Sequence, residues 1–383
     1  MADHSISIHG AHRAKHLLVV TLAVALISGC AESDPAAVRL DAESAIPDWR
    51  ALLDENLTRA EPLQPIVFPA DLASHPEASA ESFSVRGVLV DQSDALISVS
   101  AQIDRIRLRN ESAQRSSEWD YSSVFRAQAA LGKEAMTISP SQELIARGAL
   151  GLASSELGSI RVGLNTLRME TTVATDNPCL ARLSFTNRLP ADQLLQFSSE
   201  LSDCPVAASV GDLLNQWEVS AVALTGDLQG QPVTGVVWIS HTWGELPQPG
   251  GAILLDQLRL KLDTDEGEAI LINANRTKRR SGRGPVTVLA SRLTVEGESE
   301  ALELDWIDKG SITSETTGIN YAETYRVTQA GLNLDLQLQP VVPMSEIVDA
   351  FGTRWSGAVK ISGSHTGIGF VDISPNVPGK SKD

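Results

Sequence analysis

Apolar and polar positions alternate with a period of two through most of the chain. Phe83, Val85, Gly87 and Leu89 alternate with Ser84, Arg86 and Val88, and Ile97, Val99, Ala101 and Ile103 alternate with mostly small or polar residues. Leu258, Leu260 and Leu262 alternate with Arg259 and Lys261; Leu332, Leu334, Leu336 and Leu338 alternate with Asn333, Asp335 and Gln337. Successive side chains of a strand leave opposite faces, so these runs predict half-buried antiparallel strands. Asp91-Gln92-Ser93-Asp94, Gly226-Asp227 and Ser281-Gly282 punctuate them as turns. Two stretches read as helix instead. Pro47–Leu57 carries Trp49, Leu52 and Leu53 on one side with Pro in the first turn, and Ser122–Lys133 is a weaker candidate. Many short strands in a chain of 383 residues predict barrels or sandwiches, and the length points to two of them.

The first thirty residues break this pattern. Arg13 and Lys15 precede an uncharged, largely apolar core, Leu17 to Ile27. It falls short of the ~20 apolar residues that span a bilayer and suits a secretory leader. The core ends in Ile27-Ser28-Gly29-Cys30, which resembles a bacterial lipobox, so Cys30 is the expected lipidation site. Two or more acyl chains there would give a stable membrane anchor. Ala31 and Glu32, with no Asp directly after Cys30, predict sorting to the outer membrane, facing the periplasm. In that oxidising compartment Cys179 and Cys204 would most simply form one disulfide, with a nucleophilic cysteine the weaker reading. The expected organisation is a leader over 1–29, a tether with a short helix over 30–64, domains over 65–245 and 246–375, and a tail over 376–383.

Composition narrows the partners. Lys+Arg is 31 against Asp+Glu 48, a formal charge of −17 that disfavours nucleic acid and anionic lipid surfaces as partners. The one basic cluster, Arg276, Lys278, Arg279, Arg280 and Arg283, reads as a solvated hairpin tip, with a docking patch for an acidic partner or lipid head groups as the alternative. His4, His9, His12 and His16 leave with the leader, and the remaining histidines are scattered at 75, 241 and 365, so neither a zinc site nor any other cofactor is expected. No G-x-S-x-G, phosphate loop or H-E-x-x-H is present.

At Phe68 a family resemblance begins. Phe68-Pro69-Ala70-Asp71, His75-Pro76, Glu81 and Gly87 resemble the opening F-P-x-D-x-x-x-H-P…E-W-W-Y-x-x-G of the AttH / carotenoid 1,2-hydratase family. Arg147-Gly148-Ala149-Leu150-Gly151-Leu152 is similar to its R-x-A-L-G-L. The run Gly235 to Gly244, with Trp238, His241 and Trp243, is similar to its G-x-A-W-x-D-x-E-W. Trp355-Ser356-Gly357-Ala358-Val359 and Gly367-Ile368-Gly369-Phe370-Val371 resemble the closing segments. The matches keep family order over about 65–374. The resemblance implies an all-β fold of two tandem lipocalin-like antiparallel β-barrels. It also implies, by analogy, extracytoplasmic partnership with ABC-type export permeases.

The chain departs from the pattern where chemistry is expected. Glu81-Ser82-Phe83-Ser84 replaces E-W-W-Y, Ser240 and Thr242 stand at acidic positions, and Leu255-Asp256-Gln257-Leu258 replaces W-D-W-F. Hydrating an isolated alkene needs a protonated buried acid and an aromatic wall for the cation. Asp71, Glu81 and Asp256 remain as acids, His75 and His241 as their partners, and Phe83, Trp238 and Trp243 as pocket aromatics. The bland reading has Glu81 and His75 bonding backbone at the barrel mouth and Asp256 facing solvent. The expectation is therefore a lipid-anchored envelope protein that binds an apolar lipid or isoprenoid, or an export system, without catalysis. The alternative is a hydratase or hydrolase of the carotenoid-hydratase type with Asp256 or Glu81 as acid.

Overall fold

A computed structural model describes residues 65–375 apart from 69, 73–74, 76–77, 108–122, 134–135, 148–152, 157–158, 165–166, 174–179, 189–193, 201–205, 211–213, 245–252, 265–266, 280–285, 294–298, 344 and 350–351, with backbone alone over most of 123–213. Cys30, Cys179, Cys204 and the Pro47–Leu57 helix candidate lie outside the described residues.

The alternation predicts an all-β chain, and the described residues are one, with a single short 3-10 turn at Ala70–Leu72 among them. The first antiparallel sheet contains β1 (Ala80–Val90), β2 (Leu96–Arg107), β3 (Ser123–Lys133), β4 (Met136–Arg147), β5 (Ala153–Glu156), β6 (Ser159–Leu164), β7 (Leu167–Val173), β8 (Leu180–Arg188), β9 (Leu194–Glu200), β10 (Val206–Val210), β11 (Leu214–Leu228) and β12 (Gln231–Gly244). The first strand pairs with the last, Glu81 opposite Trp243 and Phe83 opposite His241, and β3 approaches β6 and β7, so the sheet curls on itself.

The second sheet repeats this plan with β13 (Ile253–Leu262), β14 (Ile270–Arg279), β15 (Thr287–Leu293), β16 (Ser299–Leu302), β17 (Asp305–Lys309), β20 (Thr324–Gln329), β21 (Leu334–Pro340), β22 (Glu346–Asp349), β23 (Gly352–Gly363) and β24 (Gly367–Ile373). The short ladder β18 (Ile312–Thr313) with β19 (Asn320–Tyr321) stands beside it. Here too the first strand pairs with the last. Both sheets belong to one compact unit, Asp54–Asp383.

The helix expected over Ser122–Lys133 is instead strand β3, paired along its length with β2 and β4. Ala, Gln and Arg favour helix by only tenths of a kcal/mol each, too little against a ladder joined to neighbours on both edges.

Each sheet buries one face in its own interior. Val85, Leu89, Ile97, Val99, Ile103, Val237 and Ile239 fill the first core, and Leu258, Leu260, Leu262, Leu336, Leu338 and Trp355 fill the second. Each fully buried aliphatic side chain contributes roughly 1.5–3 kcal/mol. The opposite face of β1, β2, β11 and β12 meets the opposite face of β13, β23 and β24. That seam holds a small apolar cluster, Val88, Val236, Trp238, Ala358 and Phe370, surrounded by polar groups. Ser84 Oγ and Ser240 Oγ bond at 2.7 Å across β1 and β12, and Ser98 Oγ accepts from the Ala358 N–H at 2.9 Å. Arg86 and Arg259 both reach the Asp372 carboxylate, at 3.3 and 3.1 Å.

Candidate functional site

The inward register of the first sheet changes from aliphatic to chemical at one end. On β1 it runs Leu89, Val85, Phe83, Glu81, and on β2 it runs Ile97, Val99, Ala101, Ile103, Arg105. On β12 it ends in His241 and Trp243, and on β11 it contains Trp217. The segment leading into β1 then crosses this end. Leu72 and Ala78 pack into the first core, and the 3-10 turn brings Asp71 and His75 over the opening.

Glu81 lies at the centre. Its Oε1 accepts the His75 backbone N–H at 2.9 Å and His241 Nε2 at 2.8 Å, and its Oε2 accepts Arg105 Nε at 2.8 Å. Arg105 also donates to the His75 carbonyl. The His75 ring places Nδ1 3.7 Å from Glu81 Oε1 and Nε2 3.1 Å from Asp71 Oδ1. Trp217 Nε1 donates to the Asp71 carbonyl at 2.9 Å and fastens the turn to β11. Aromatic faces enclose the imidazoles. His75 stacks on Trp243 at 4.0 Å, His241 stacks on Phe83 at 3.9 Å, and Trp217 meets His241 edge-on at 5.5 Å.

Electrostatics sets the protonation. Burial alone would raise the Glu81 carboxyl, but hydrogen bonds from the histidines and the charge of Arg105 outweigh it and hold the group well below its ordinary range. Burial lowers the pKa of His241 from 6.5, against the opposing pull of Glu81. We therefore assign a neutral imidazole and an ionised carboxylate. A carboxylate only accepts, so His241 Nε2 carries the proton, and the tautomer follows from the partner. The other nitrogen, His241 Nδ1, is then a bare lone pair, buried and without a partner among the described residues.

His75, Glu81 and His241 also form a set able to ligate a cation, their donor atoms all within 4.8 Å of one another. The hydrogen bonding favours protons over a metal. Both oxygens of Glu81 already accept hydrogen bonds, the Arg105 guanidinium would repel a cation, and a ligating His241 would leave its remaining N–H without an acceptor, where metal-bound histidines nearly always donate it.

The structure gathers Asp71, His75, Glu81, Phe83, His241 and Trp243 of the expected residues and separates two. Trp238 lies on the opposite face of β12 in the seam between the barrels. Asp256 does not face solvent. It is fully buried inside the second barrel, bound by Arg276 at 2.7 Å and Lys278 at 3.1 Å, and it accepts the Ser374 N–H at 2.8 Å. Arg276 and Lys278 are thus not part of a solvated hairpin tip, because both project inward from β14 onto that carboxylate. Residues 280–283 of the basic cluster lie outside the described residues. The family positions occupied by Ser82, Ser84, Ser240 and Thr242 are on the opposite strand face from Glu81 and His241, so their change alters the seam and leaves the Glu81 centre intact.

Arg105 and Trp217 are absent from the sequence reading. Arg105 carried a signal, since it continues the inward register of Ile97 to Ile103, where a charge requires a buried partner. Trp217 joins the site through the fold alone.

The AttH-like family matches residues 59–375. The structure is similar to that of an AttH from Nitrosomonas europaea, at 18% identity and a TM-score of 0.65 over 84% of this chain and all of the other. It is also similar to kievitone hydratase from Nectria haematococca, at 16% identity and a TM-score of 0.56 over 82% of this chain and 94% of the other. No curated protein matches the chain. At these identities the likeness shows the fold, two tandem lipocalin-like barrels.

Proposed function

The chain belongs to the AttH-like family, and from that premise and the geometry around Glu81 we propose that it is a hydratase-type enzyme acting on an apolar, unsaturated substrate at the mouth of the first barrel. The observation that carries this reading is the Glu81–His241 pair, a buried carboxylate orienting a neutral imidazole whose second nitrogen is bare. This is the orienter-and-base arrangement of general base catalysis. His241 Nδ1 takes a proton from water as the oxygen bonds to one alkene carbon, and the imidazolium returns that proton to the neighbouring carbon. Glu81 stabilises the transient imidazolium. The structural likeness to a kievitone hydratase supports the same reaction class.

Because Glu81 is held ionised, the centre lacks the strong acid that an isolated alkene requires. The proposed substrate is therefore an alkene conjugated to a carbonyl, carried on an isoprenoid or similar apolar body. The test uses prenylated enones in ¹⁸O water, with label uptake read by mass spectrometry. Label enters the product with the native protein, and His241→Ala lowers kcat by about 10²–10⁴ with KM little changed. Absence of label across such enones overturns the proposal.

The same ionised Glu81 favours a second reading, an apolar-ligand carrier without catalysis. A ligand that co-purifies equally with the native protein and with His241→Ala supports it. In either case we propose export and anchoring through Cys30, as the lipobox-like leader suggests. Acyl labelling that persists in Cys30→Ser contradicts that placement.

A further inference from the structure

Where the first barrel meets the second, β10 and β11 leave part of the outer face of β13 and β14 uncovered. A cavity of about 150 Å³ opens there. Gln216, Glu218, Gln257, Arg259, Asn273 and Asn275 line it, and the half-exposed Leu289 lies at its rim. Gln216 and Glu218 leave β11 on the opposite side from Trp217, so this cavity is separate from the Glu81 centre and does not depend on the hydratase reading.

We propose that this cleft is a binding site for a neutral, hydroxyl-bearing molecule of about monosaccharide size or smaller. Its charges are already cancelled, because Arg259 spends its donors on Glu218 at 2.6 Å, Asp372 at 3.1 Å and Gln257 at 3.1 Å. Gln257 joins Gln216 at 2.9 Å and Asn275 at 3.3 Å, which fixes the amides as a ladder. Asn273 donates to Ser220 at 2.8 Å, and its own carbonyl oxygen is buried without a partner among the described residues.

That oxygen requires a donor. An apolar occupant would leave it unsatisfied, at the cost of burying an unpaired polar group. An anion would face both this oxygen and the Glu218 carboxylate, and a cation would find no uncommitted charge. A hydroxyl satisfies the oxygen, and a second hydroxyl can accept from Asn275, which spends its oxygen on Gln257. The volume has room for several waters, which suits a small polyol or a terminal sugar with its apolar face toward Leu289.

The test is saturation-transfer NMR on the full chain, with methyl glucoside as the neutral probe and glucuronate as its charged counterpart. Methyl glucoside binds saturably and glucuronate more weakly. Asn273→Leu, which keeps the shape and removes the bare oxygen, weakens the glucoside about tenfold. Asn275→Ala, half-buried at the same wall, weakens it as well and stands in if Asn273→Leu fails to fold. No saturable glucoside signal, equal affinity in the variants, or a preference for glucuronate overturns the proposal.

Discussion

Both carboxylate oxygens of Glu81 meet donors inside the first barrel, and the energetic consequence is asymmetric. Glu81→Gln removes a buried charge partner of Arg105, so a loss of about 3–5 kcal/mol in urea unfolding is expected. A loss below about 1 kcal/mol would mean that water reaches Arg105 and that the centre is not buried as described. His241 adds a pH dependence whose sign follows from its lowered pKa. Below 6.5 the unfolded chain binds a proton at this residue more readily than the folded one does. The stability contribution is therefore complete above about pH 6.5 and is lost as pH falls below it, by at most about 1.4 kcal/mol per pH unit. His241→Phe removes that slope between pH 6.5 and 5, and an unchanged slope would assign it to another group. Asp71, His75, Glu81, Phe83, His241 and Trp243 were visible in the sequence through their family spacing, and Arg105 and Trp217 were not. Their convergence was not, because it depends on Glu81 lying beside Arg105 on one neighbouring strand and Trp243 on the other, and on a turn that folds His75 back over them. The histidines at 75 and 241 read as scattered, yet their rings are 5.4 Å apart.

At the level of strands, alternation predicted where strands run better than which elements share them. It placed β1, β2, β13 and β21 correctly, and it missed β3, whose Ala-rich run has no clear period of its own and takes its conformation from β2. Turn geometry shows how local chemistry limits substitution. Gly363 ends β23 with φ +115, and a Cβ there would sit 2.2 Å from the Asp335 carbonyl oxygen. Gly230, at φ +80 between β11 and β12, has nothing within 4 Å of the same position. Gly230→Ala therefore costs only the left-handed backbone penalty of about 1–2 kcal/mol. Gly363→Ala adds a clash that must push β21 from β23 and costs a further 1–3 kcal/mol. Equal midpoints for the two variants in chemical denaturation would show that the β21–β23 pairing yields at little cost.

For the whole molecule, the polar half of the alternation carries the part that was hardest to read. Ser82, Ser84 and Arg86 occupy positions that a half-buried strand gives to solvent, yet all three are buried, and Arg86 reaches Asp372 of the second barrel. Period-two patterning fixes which face a residue takes but not what covers that face, so the barrels were legible and their docking was not. The docking has its own electrostatics. Burial would raise the Asp372 carboxyl, but Arg86, Arg354 and Arg259 together hold it well below the usual carboxylate range. A carboxyl with a depressed folded pKa contributes stability above its unfolded value near 3.9 and loses it as pH falls toward the folded value. Acidification below about pH 4 should thus weaken the seam. Asp372→Ala should impose much of that loss at neutral pH, about 3–5 kcal/mol, because three guanidinium groups lose a shared counter-charge. The discriminating measurement is the pH profile of each protein's unfolding free energy. The native curve should fall more steeply than the variant's below pH 4, narrowing the gap between them as Asp372 itself becomes protonated. Parallel curves across that range would mean that the carboxylate titrates as it does in the unfolded chain, and that the barrels are held together by the Val88–Trp238–Phe370 cluster and neutral hydrogen bonds instead.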